Sequence, residues 1–330
     1  VHDLGIFDHF AALARQCRDQ GASITFVDAR SDTETEGFDI EHAAQRSVGG
    51  DYVIEDSSIA LSRPSDAVLV QTPYDEQRAN EWRELGIADG LTYPGYGLGL
   101  VQWAYGHFDL PFYRRCDRIQ LASPRSIQPH LDRGVPRSAL RQTGSPLWYE
   151  IHHAVRAQPP DATTPVLLWM PHWTEDWFGN PGFSTWSETV FDVLSIGRAF
   201  EHVQIRLRPH PLLLRVISNS DATLSPPHRA LRELTELSNV VISNDSLLND
   251  LLNSSIALTD GVTVIAFAAG AGLPVGVCRR PGAPEFNDAG NAILDRCDLL
   301  RDSADRLAWL RHQLEEPEPR DVESAAATAV

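Results

Sequence analysis

Short apolar runs alternate with helical patterns along most of this 330-residue chain, and this alternation limits the fold more than any other feature. The clearest apolar runs are residues 166–170, 203–207 and 273–277, and each has the length of a buried strand. Between such runs, apolar residues recur at helical spacing. Strands and helices that alternate through short connections are typical of a doubly wound parallel sheet. The sequence therefore predicts an α/β protein built on parallel sheets.

A proline-containing segment separates two rounds of this pattern. Residues 156–165 include three prolines, a composition typical of a linker. A chain of 330 residues with 42% hydrophobic content is also long enough to build two hydrophobic cores. We therefore predict an amino-terminal domain over residues 1–157, a carboxyl-terminal domain over residues 158–316 and a disordered tail over residues 317–330.

The composition disfavours several classes of function. A net charge of −17 disfavours a general nucleic-acid binder, which needs a basic surface, and it disfavours docking on an anionic membrane. All 28 basic residues are arginine, which excludes chemistry that needs a lysine, such as a P-loop or a pyridoxal Schiff base. The four cysteines are widely spaced, which disfavours a disulfide framework. Since no signal peptide or membrane-spanning run is visible, we expect a cytoplasmic protein with at most peripheral membrane contact.

The run RLRPHP, residues 206–211, ends one of the predicted strands. Its two prolines fix φ on both sides of His210 and hold the imidazole at the carboxyl end of the strand. In open α/β sheets this edge is where ligands bind. Arg206 and Arg208 share one face of the strand, so their guanidinium groups could bind a phosphate together. The alternative interpretation is a histidine bonded to backbone carbonyls beside two surface arginines.

A second polar loop, residues 259–263, follows the strand predicted at residues 256–258 and precedes a helix of small residues. The start of a helix directs N–H groups outward and attracts anions. Thr259 and Thr263 would add hydroxyl donors to this site. Asp260 would repel a phosphate, so we predict that it caps the helix or pairs with an arginine of the RLRPHP run.

Candidate bases lie in the amino-terminal half. His2 begins a predicted helix and would lie at a strand-to-helix corner if a strand precedes it, while His9 lies one turn further along that helix. For either histidine, the alternative is a capping or solvated residue. Asp75 begins another predicted helix, and the glycine-rich run of residues 92–99 allows a tight backbone corner at Tyr96 and Gly97.

Several of these motifs together resemble a known family. They are the RPHP run at 208–211, the LTD run at 258–260, the LPV run at 273–275, the LLWMPHW run at 167–173 and the TGSP run at 143–146. This combination resembles the CDP-glycerol glycerophosphotransferases, the teichoic-acid and capsule-forming transferases, over residues 91–277. The resemblance implies a GT-B fold, in which two Rossmann-like doubly wound domains face each other across a cleft that holds the donor nucleotide.

The resemblance also implies roles for individual residues. The family's histidine between two prolines corresponds to His210. Gly261 and Val262 stand where the family usually has two serines, which leaves Thr263 as the main hydroxyl, and Tyr96 stands where the family has a second histidine before a glycine. His2 resembles the position of the base in many inverting GT-B glycosyltransferases. The predicted catalytic residues are therefore His210 and His2. The residues predicted to bind the donor and its phosphates are Arg206, Arg208, Thr259, Asp260, Gly261, Thr263, His172 and Ser145. The residues predicted for the acceptor side are Tyr96, Gly97, His9 and Asp75.

These residues suggest a transferase that needs neither a metal nor another cofactor. No acidic D-x-D metal motif lies in a suitable loop, so arginines, His210 and the helix start would neutralise the leaving phosphates. A protonated His210 could also act as an acid. The predicted reaction moves glycerol phosphate or another polyol phosphate, or a glycosyl group, from a CDP-type or other nucleotide-diphospho donor to a hydroxyl of a glycan, lipid-linked or small acceptor. The alternatives are an ordinary nucleotide-sugar glycosyltransferase and a non-catalytic GT-B binding module.

Overall fold

The structure is a computed structural model. It describes residues 4–28, 53–56, 68–69, 91–95, 98–101, 110–157, 165–177, 180–210, 212–213, 225–316, 318 and 320–321. Within these ranges the chain divides into two compact units. One unit holds the residues up to 99 together with 110–150, and the other holds residues 100–101 and 151–321.

The amino-terminal unit is built from parallel strands and helices. Its described elements are α1 (Leu4–Asp19), β1 (Thr25–Asp28), β2 (Val53–Asp56), β3 (Val68–Leu69), β4 (Leu91–Tyr93), α2 (Pro111–Arg115), β5 (Arg118–Leu121), α3 (Ile127–Leu131), β6 (Leu140–Gln142) and the first part of α4 (Pro146–Ala157), with short 3₁₀ turns at Pro124–Ser126 and Arg137–Ala139. From residue 151 onward, α4 belongs to the other unit. β1 pairs with β2, and β3 to β6 form a parallel sheet in sequence order. Tyr93, Phe112 and Tyr113 pack edge to face in its core, with ring centroids 5.6 to 5.8 Å apart.

The carboxyl-terminal unit contains one six-stranded parallel sheet. Its elements are β7 (Val166–Met170), β8 (Asp176–Trp177), β9 (Asn180–Pro181), α5 (Trp186–Ala199), β10 (Gln204–Leu207), α6 (Pro226–Thr235), β11 (Val240–Ile242), α7 (Leu247–Leu252), β12 (Ile256–Thr259), α8 (Val262–Gly270), β13 (Val275–Cys278), α9 (Asp288–Leu294), β14 (Asp298–Leu300) and α10 (Ser303–Glu315). The strands lie in the order β11-β10-β7-β12-β13-β14. β7, β12 and β13 are buried along their whole length, as the apolar runs of a two-sided parallel sheet predict.

The two faces of this sheet are covered by different helices. α5, α6 and α10 pack on one face, where Trp169, Ile205 and Leu258 contribute to one continuous core. α8 and α9 follow strands that lie on the other side of β7. Because crossovers between parallel strands are right-handed, these two helices lie on the opposite face of the sheet. Residues 100–101 add to this unit, because Val101 pairs with Phe286 in an isolated bridge. The strands predicted at 166–170, 203–207 and 273–277 are confirmed by β7, β10 and β13.

The end of the described chain is docked on the carboxyl-terminal unit. The guanidinium group of Arg320 donates to the carbonyls of Leu251, Leu252 and Ser254, at the end of α7. The N–H of Asp321 donates to the carbonyl of Gly272 at 3.1 Å. The prediction of a disordered tail from residue 317 is therefore wrong at Arg320 and Asp321, because the carbonyls at a helix end attract a cation. None of the helices that the structure describes has the length and apolar character needed to cross a membrane.

A buried ion pair joins α5 to α10 and provides a test of this packing. Arg306 donates through Nε to Asp192 at 2.5 Å, and the two side chains are only 3% and 6% exposed. We expect Asp192→Asn to lower the free energy of unfolding by about 3–5 kcal/mol, because it leaves the Arg306 charge buried without its partner.

Urea unfolding of the variant at neutral pH measures this loss. Glu233→Gln is the matched control, because its ion pair with Arg198 is exposed and should contribute less than about 1 kcal/mol. Equal losses in the two variants would contradict the role given to the buried pair.

Candidate functional site

The strand order of the carboxyl-terminal unit creates a switch point at the edge of the sheet, between β7 and β12. From β7 the chain winds outward through β10 and β11, then returns to the other side of β7 with β12 and winds on through β13 and β14. The loops that follow β7 and β12 therefore leave the sheet in opposite directions, which is the arrangement that forms a ligand crevice in doubly wound proteins. Ligands of doubly wound proteins bind at this switch point.

The strand register brings four residues to one level at this edge. Leu207 is paired with Trp169, Thr259 with Met170, and Thr259 with Val277. The same offsets, continued by two or three residues beyond these pairs, assign His210, His172, Gly261 and Arg279 to one level, and we call these four residues the strand-end row. The N–H of His210 still donates to the carbonyl of Pro171 at 3.0 Å, so the pairing extends into the row. Neighbouring strands lie about 4.8 Å apart, and the row is therefore about 15 Å long.

Two Pro-His corners form half of the strand-end row. Pro171 and His172 follow β7, while Pro209 and His210 follow β10. In each corner the Nδ1 atom of the histidine accepts the N–H of the residue two positions later, from Thr174 and from Leu212, at 3.2 Å in both cases. The centroids of the two imidazole rings are 5.1 Å apart. Because Nδ1 is an acceptor in both corners, the neutral rings carry their hydrogen on Nε2.

Burial keeps His172 neutral. Desolvation, reinforced by the neighbouring His210, lowers the pKa of His172 to about 3, so the ring is uncharged at physiological pH. Protonation of His210 would turn an Nδ1–H toward the N–H of Leu212. While Nδ1 of His210 accepts this N–H, Nε2 is the ring nitrogen that carries the hydrogen. The action of a protonated His210 as an acid stays a prediction. The pair therefore offers Nε2–H groups as hydrogen-bond donors.

A loop closes over His172 from the side of α5. Residues 174–185 contain the β8–β9 hairpin, and the hydroxyl of Ser184 donates to the carbonyl of His172 at 2.6 Å. Gly182 has no room for a side chain, since a Cβ there would lie 2.1 Å from the carbonyl oxygen of Thr174. Trp173 stacks beside the His172 ring at 6.1 Å between centroids, and Phe183 meets the same ring edge-on at 5.8 Å. The imidazole is thus fixed from several sides.

Asp260 connects the strand end of β12 to both neighbouring segments. Its carboxylate accepts the N–H of His172 at 2.5 Å, the N–H of Thr185 at 2.5 Å and the hydroxyl of Thr185 at 3.0 Å. Asp260 does not cap α8, because the N-cap residue of that helix is Gly261 and no side-chain hydrogen bond caps it. Asp260 also does not pair with Arg206 or Arg208, which both bond to Asp250. Both predicted roles for Asp260 are therefore wrong. Burial raises the pKa of Asp260 to about 6 even though these three hydrogen bonds lower it.

Arg206 and Arg208 lie on one face of β10, as predicted, but both point to a carboxylate. Nη1 of Arg206 is 3.3 Å and Nη1 of Arg208 is 2.9 Å from the fully buried side chain of Asp250 in α7. Arg208 also donates to the carbonyl of Asp245 at 2.6 Å, and the Ser243 hydroxyl donates to Asp250 at 2.7 Å. Asp250 was missed because the sequence offers no reason to choose it over other acids of a polar helix. Phosphate binding by the two arginines stays a prediction.

The loop after β12 is only partly available to a ligand. The hydroxyl of Thr259 donates to the carbonyl of Met170 at 2.7 Å and accepts the N–H of Gly261 at 3.0 Å. The prediction that Thr259 donates to a ligand is therefore wrong, because its hydroxyl is buried and used within the fold. A Cβ at Gly261 would lie 2.9 Å from Cγ2 of Val264. Thr263 is partly exposed in the first turn of α8, beside backbone N–H groups that have no partner within the helix.

The remaining predicted residues are not brought into this site. In the amino-terminal unit, the hydroxyl of Ser145 accepts the N–H of Trp148 at 3.3 Å and caps α4. His9 belongs to α1, but its side chain lies outside the described residues, as do all of His2, Asp75, Tyr96 and Gly97. In the described part of the chain, no three His, Cys, Asp or Glu side chains are grouped to hold a metal ion.

Two arginines at the same edge were missed. Arg279 and Arg280 follow β13, and Arg279 belongs to the strand-end row. The family resemblance ended at residue 277, so these residues received no role. The signal that could have revealed them is the RRPG run, in which two cations stand between a strand and a turn.

The pKa of Asp260 leads to a prediction about stability. A carboxyl group whose native pKa of about 6 exceeds its ordinary value of 3.8 binds its proton more tightly in the native state than in the unfolded state. Its contribution to the free energy of unfolding is therefore greatest below about pH 4 and falls until the pH passes about 6. We expect the stability of the wild type relative to Asp260→Asn to fall by on the order of 2 kcal/mol from pH 4 to pH 7.

Urea unfolding of both proteins across this pH range measures the difference. Asp295→Asn, at an exposed carboxylate, controls for the general effect of removing a charge. A difference between wild type and Asp260→Asn that is constant with pH, or that grows with pH, would contradict the raised pKa.

Comparison with known proteins identifies the fold. No protein-family model matches the sequence, and no curated protein sequence matches it. Among solved structures, UDP-GlcNAc 2-epimerase from Neisseria meningitidis bound to UDP-GlcNAc is similar with a TM-score of 0.55 and 12% identity, over 98% of this chain and 90% of that one. MnaA from S. aureus with UDP is similar with a TM-score of 0.59 and 12% identity, over 98% of this chain and 89% of that one. HepE from Anabaena with UDP and glucose is similar with a TM-score of 0.54 and 10% identity, over 97% of this chain and 90% of that one. These similarities confirm the predicted fold class, two Rossmann-like parallel-sheet domains of the GT-B type.

Proposed function

We propose that the protein is an enzyme that acts on a nucleotide-diphospho-linked sugar or polyol. The observation that carries this proposal is the meeting of two histidine donors, His172 and His210, with the start of α8 at the switch point of the sheet. Structures of the same fold from Neisseria and S. aureus hold UDP-GlcNAc and UDP, which supports a nucleotide ligand at the level of the fold.

The chemistry of the site suits departure of a phosphate group. When a bond to a nucleotide phosphate breaks, negative charge develops on its oxygens, and fixed hydrogen-bond donors stabilise that charge. The Nε2–H groups of His172 and His210 and the first N–H groups of α8 are such donors. The pKa of about 3 keeps His172 in this donor form across the physiological range. We therefore propose that no metal ion and no other cofactor is needed.

Transfer to a hydroxyl acceptor is the reaction that we propose. One form transfers glycerol phosphate from a CDP-linked donor and leaves CMP, in line with the RPHP resemblance. The other transfers a glycosyl group and leaves a nucleoside diphosphate. The acceptor-side base would come from the amino-terminal unit, with His2 as the first candidate and His9 and Asp75 as the others.

Epimerisation of a nucleotide sugar is a second candidate. It is favoured by the epimerases among the similar structures, whose alignments cover almost the whole of this chain. Epimerisation leaves the nucleotide attached to the sugar in the product. The nucleotide product therefore distinguishes the reactions.

A substrate panel tests the proposed function. The full chain is incubated with CDP-glycerol and with UDP-, GDP- and CMP-linked sugars, together with a mixture of hydroxyl acceptors, and the nucleotides are separated by chromatography. We expect turnover of at least one diphospho-linked donor with release of CMP or of a nucleoside diphosphate. An epimeric nucleotide sugar without release would replace transfer by epimerisation. Binding without any turnover would indicate a non-catalytic module and contradict the proposal.

The same panel is run after dialysis against EDTA. We expect turnover to be unchanged, because the proposed charge stabilisation comes from hydrogen-bond donors of the chain. Loss of activity that Mg²⁺ restores would contradict the metal-independent mechanism.

Two substitutions of His210 separate the roles of its ring nitrogens. Asparagine can accept the N–H of Leu212 as Nδ1 does, but it has no donor at the position of Nε2, whereas glutamine can place a donor there. We expect His210→Asn to keep its melting temperature and to lose about 10²-fold in kcat, because the donor to the phosphate is gone. His210→Gln should retain more activity than His210→Asn.

His202→Asn is the matched control, because this exposed histidine lies near the amino end of the same strand. It should leave kcat unchanged. Wild-type turnover by His210→Asn would show that Nε2 of His210 takes no part in the reaction.

A further inference from the structure

The two arginines of β10 are already bonded to groups of the fold. Arg206 and Arg208 share the buried carboxylate of Asp250, and Arg208 also bonds to the backbone of Asp245. A guanidinium group held by a carboxylate binds a phosphate less strongly, since part of its charge is already balanced. Two further arginines of the described residues lie near the switch point, Arg279 and Arg280, which follow β13.

Arg279 makes the loop after β13 rigid. Its Nη2 atom donates to the carbonyls of Ala283 at 3.1 Å and Pro284 at 2.6 Å. Its guanidinium carbon lies 4.7 Å from the centre of the Phe286 ring, where a cation is attracted to the ring face. Gly282 has a φ of +77°, so the loop turns back through a conformation that favours glycine.

Each of the two arginines has a buried donor without an acceptor. Nη1 of Arg279 and Nε of Arg280 are buried and have no hydrogen-bond partner. Buried N–H groups are normally bonded, so a pair of such groups on adjacent cations can receive an acceptor that the chain itself does not supply. Nearby, Glu285 is exposed and interacts electrostatically with Arg279, which leaves the pair with an excess of positive charge. Such an acceptor is therefore expected to be an anion.

We propose that Arg280, positioned by Arg279, binds the diphosphate of a nucleotide ligand at the switch point. This inference rests on the proposed function and extends it by naming the cationic residue of the site. Arg279 is two strands away from His172 in the strand-end row, a distance of about 10 Å. The start of α8 lies between them. A diphosphate over this helix start can contact histidine donors on one side and a guanidinium on the other, whereas a single phosphate is too short to do so.

Titration of the full chain tests this inference. The heat of binding is measured for UDP, CDP, UMP and inorganic pyrophosphate with the wild type, with Arg280→Gln and with Arg311→Gln. Arg311 is an exposed residue of α10, so its substitution removes the same charge at a distance from the site. We expect Arg280→Gln to weaken binding of UDP or CDP by about tenfold or more and binding of UMP by less. Arg311→Gln should bind like the wild type.

The outcomes separate this inference from the proposed function. If the wild type binds a nucleoside diphosphate and Arg280→Gln binds it equally well, the role of Arg280 is overturned while the proposed function stands. If the wild type binds pyrophosphate but no nucleotide, and Arg280→Gln weakens this binding, the anion site stands and the proposed nucleotide ligand fails. Absence of all binding overturns both.

A second variant covers the case in which Arg280→Gln lowers the melting temperature. Arg280→Lys keeps the charge but removes the planar paired donors that match a phosphate. It should weaken binding of UDP or CDP measurably while the melting temperature stays that of the wild type. Unchanged affinity in Arg280→Lys together with an unfolded Arg280→Gln would overturn the inference.

Discussion

The buried carboxylate of Asp260 is the interaction on which the described site depends. Its two oxygens accept three hydrogen bonds, from the backbone of His172 and from the backbone and hydroxyl of Thr185. These bonds join the end of β12 to the corner after β7 and to the start of α5, which lie 88 and 75 residues earlier in the sequence. Burial makes the charge costly, as the raised pKa shows, and the hydrogen bonds offset this cost. A carboxylate in this position thus holds the two sides of the switch point together.

The two histidines illustrate how a repeated local motif creates a functional pair. Each follows a proline at the end of a strand, and each accepts a backbone N–H through Nδ1. Since β7 and β10 are neighbours in register, the two corners lie side by side with their rings 5.1 Å apart. The pairing has an electrostatic consequence, because a positive charge on His210 makes a positive charge on His172 less favourable. The arrangement suits donation of hydrogen bonds better than donation of a proton.

Charge is distributed unevenly along the sheet edge. On β10 two arginines converge on Asp250, so both guanidinium groups are bonded within the fold. Beyond β13 two further arginines have buried donors with no acceptor. Arg206 and Arg208 thus hold the architecture through Asp250, and Arg279 holds its own loop, whereas Arg280 is the cation that we propose for a ligand. In a chain with a net charge of −17, such a local concentration of positive charge is needed if the ligand is an anion.

The sequence by itself determined the fold class and the position of the main corner. Apolar runs at 166–170, 203–207 and 273–277 specify buried parallel strands, because burial on both faces requires apolar residues at every position. The prolines around His210 likewise place its ring at a strand end through local sterics alone.

Only the tertiary structure decided which polar groups are used within the fold and which remain for a ligand. Thr259 and Asp260 have the residue types of a phosphate site, yet their partners, Met170, His172 and Thr185, come from segments 75 to 89 residues away. Such partners depend on the order of strands in the sheet, which local sequence does not encode. For the same reason Asp250 and Arg280 were missed, since the role of each depends on what the neighbouring strands place beside it.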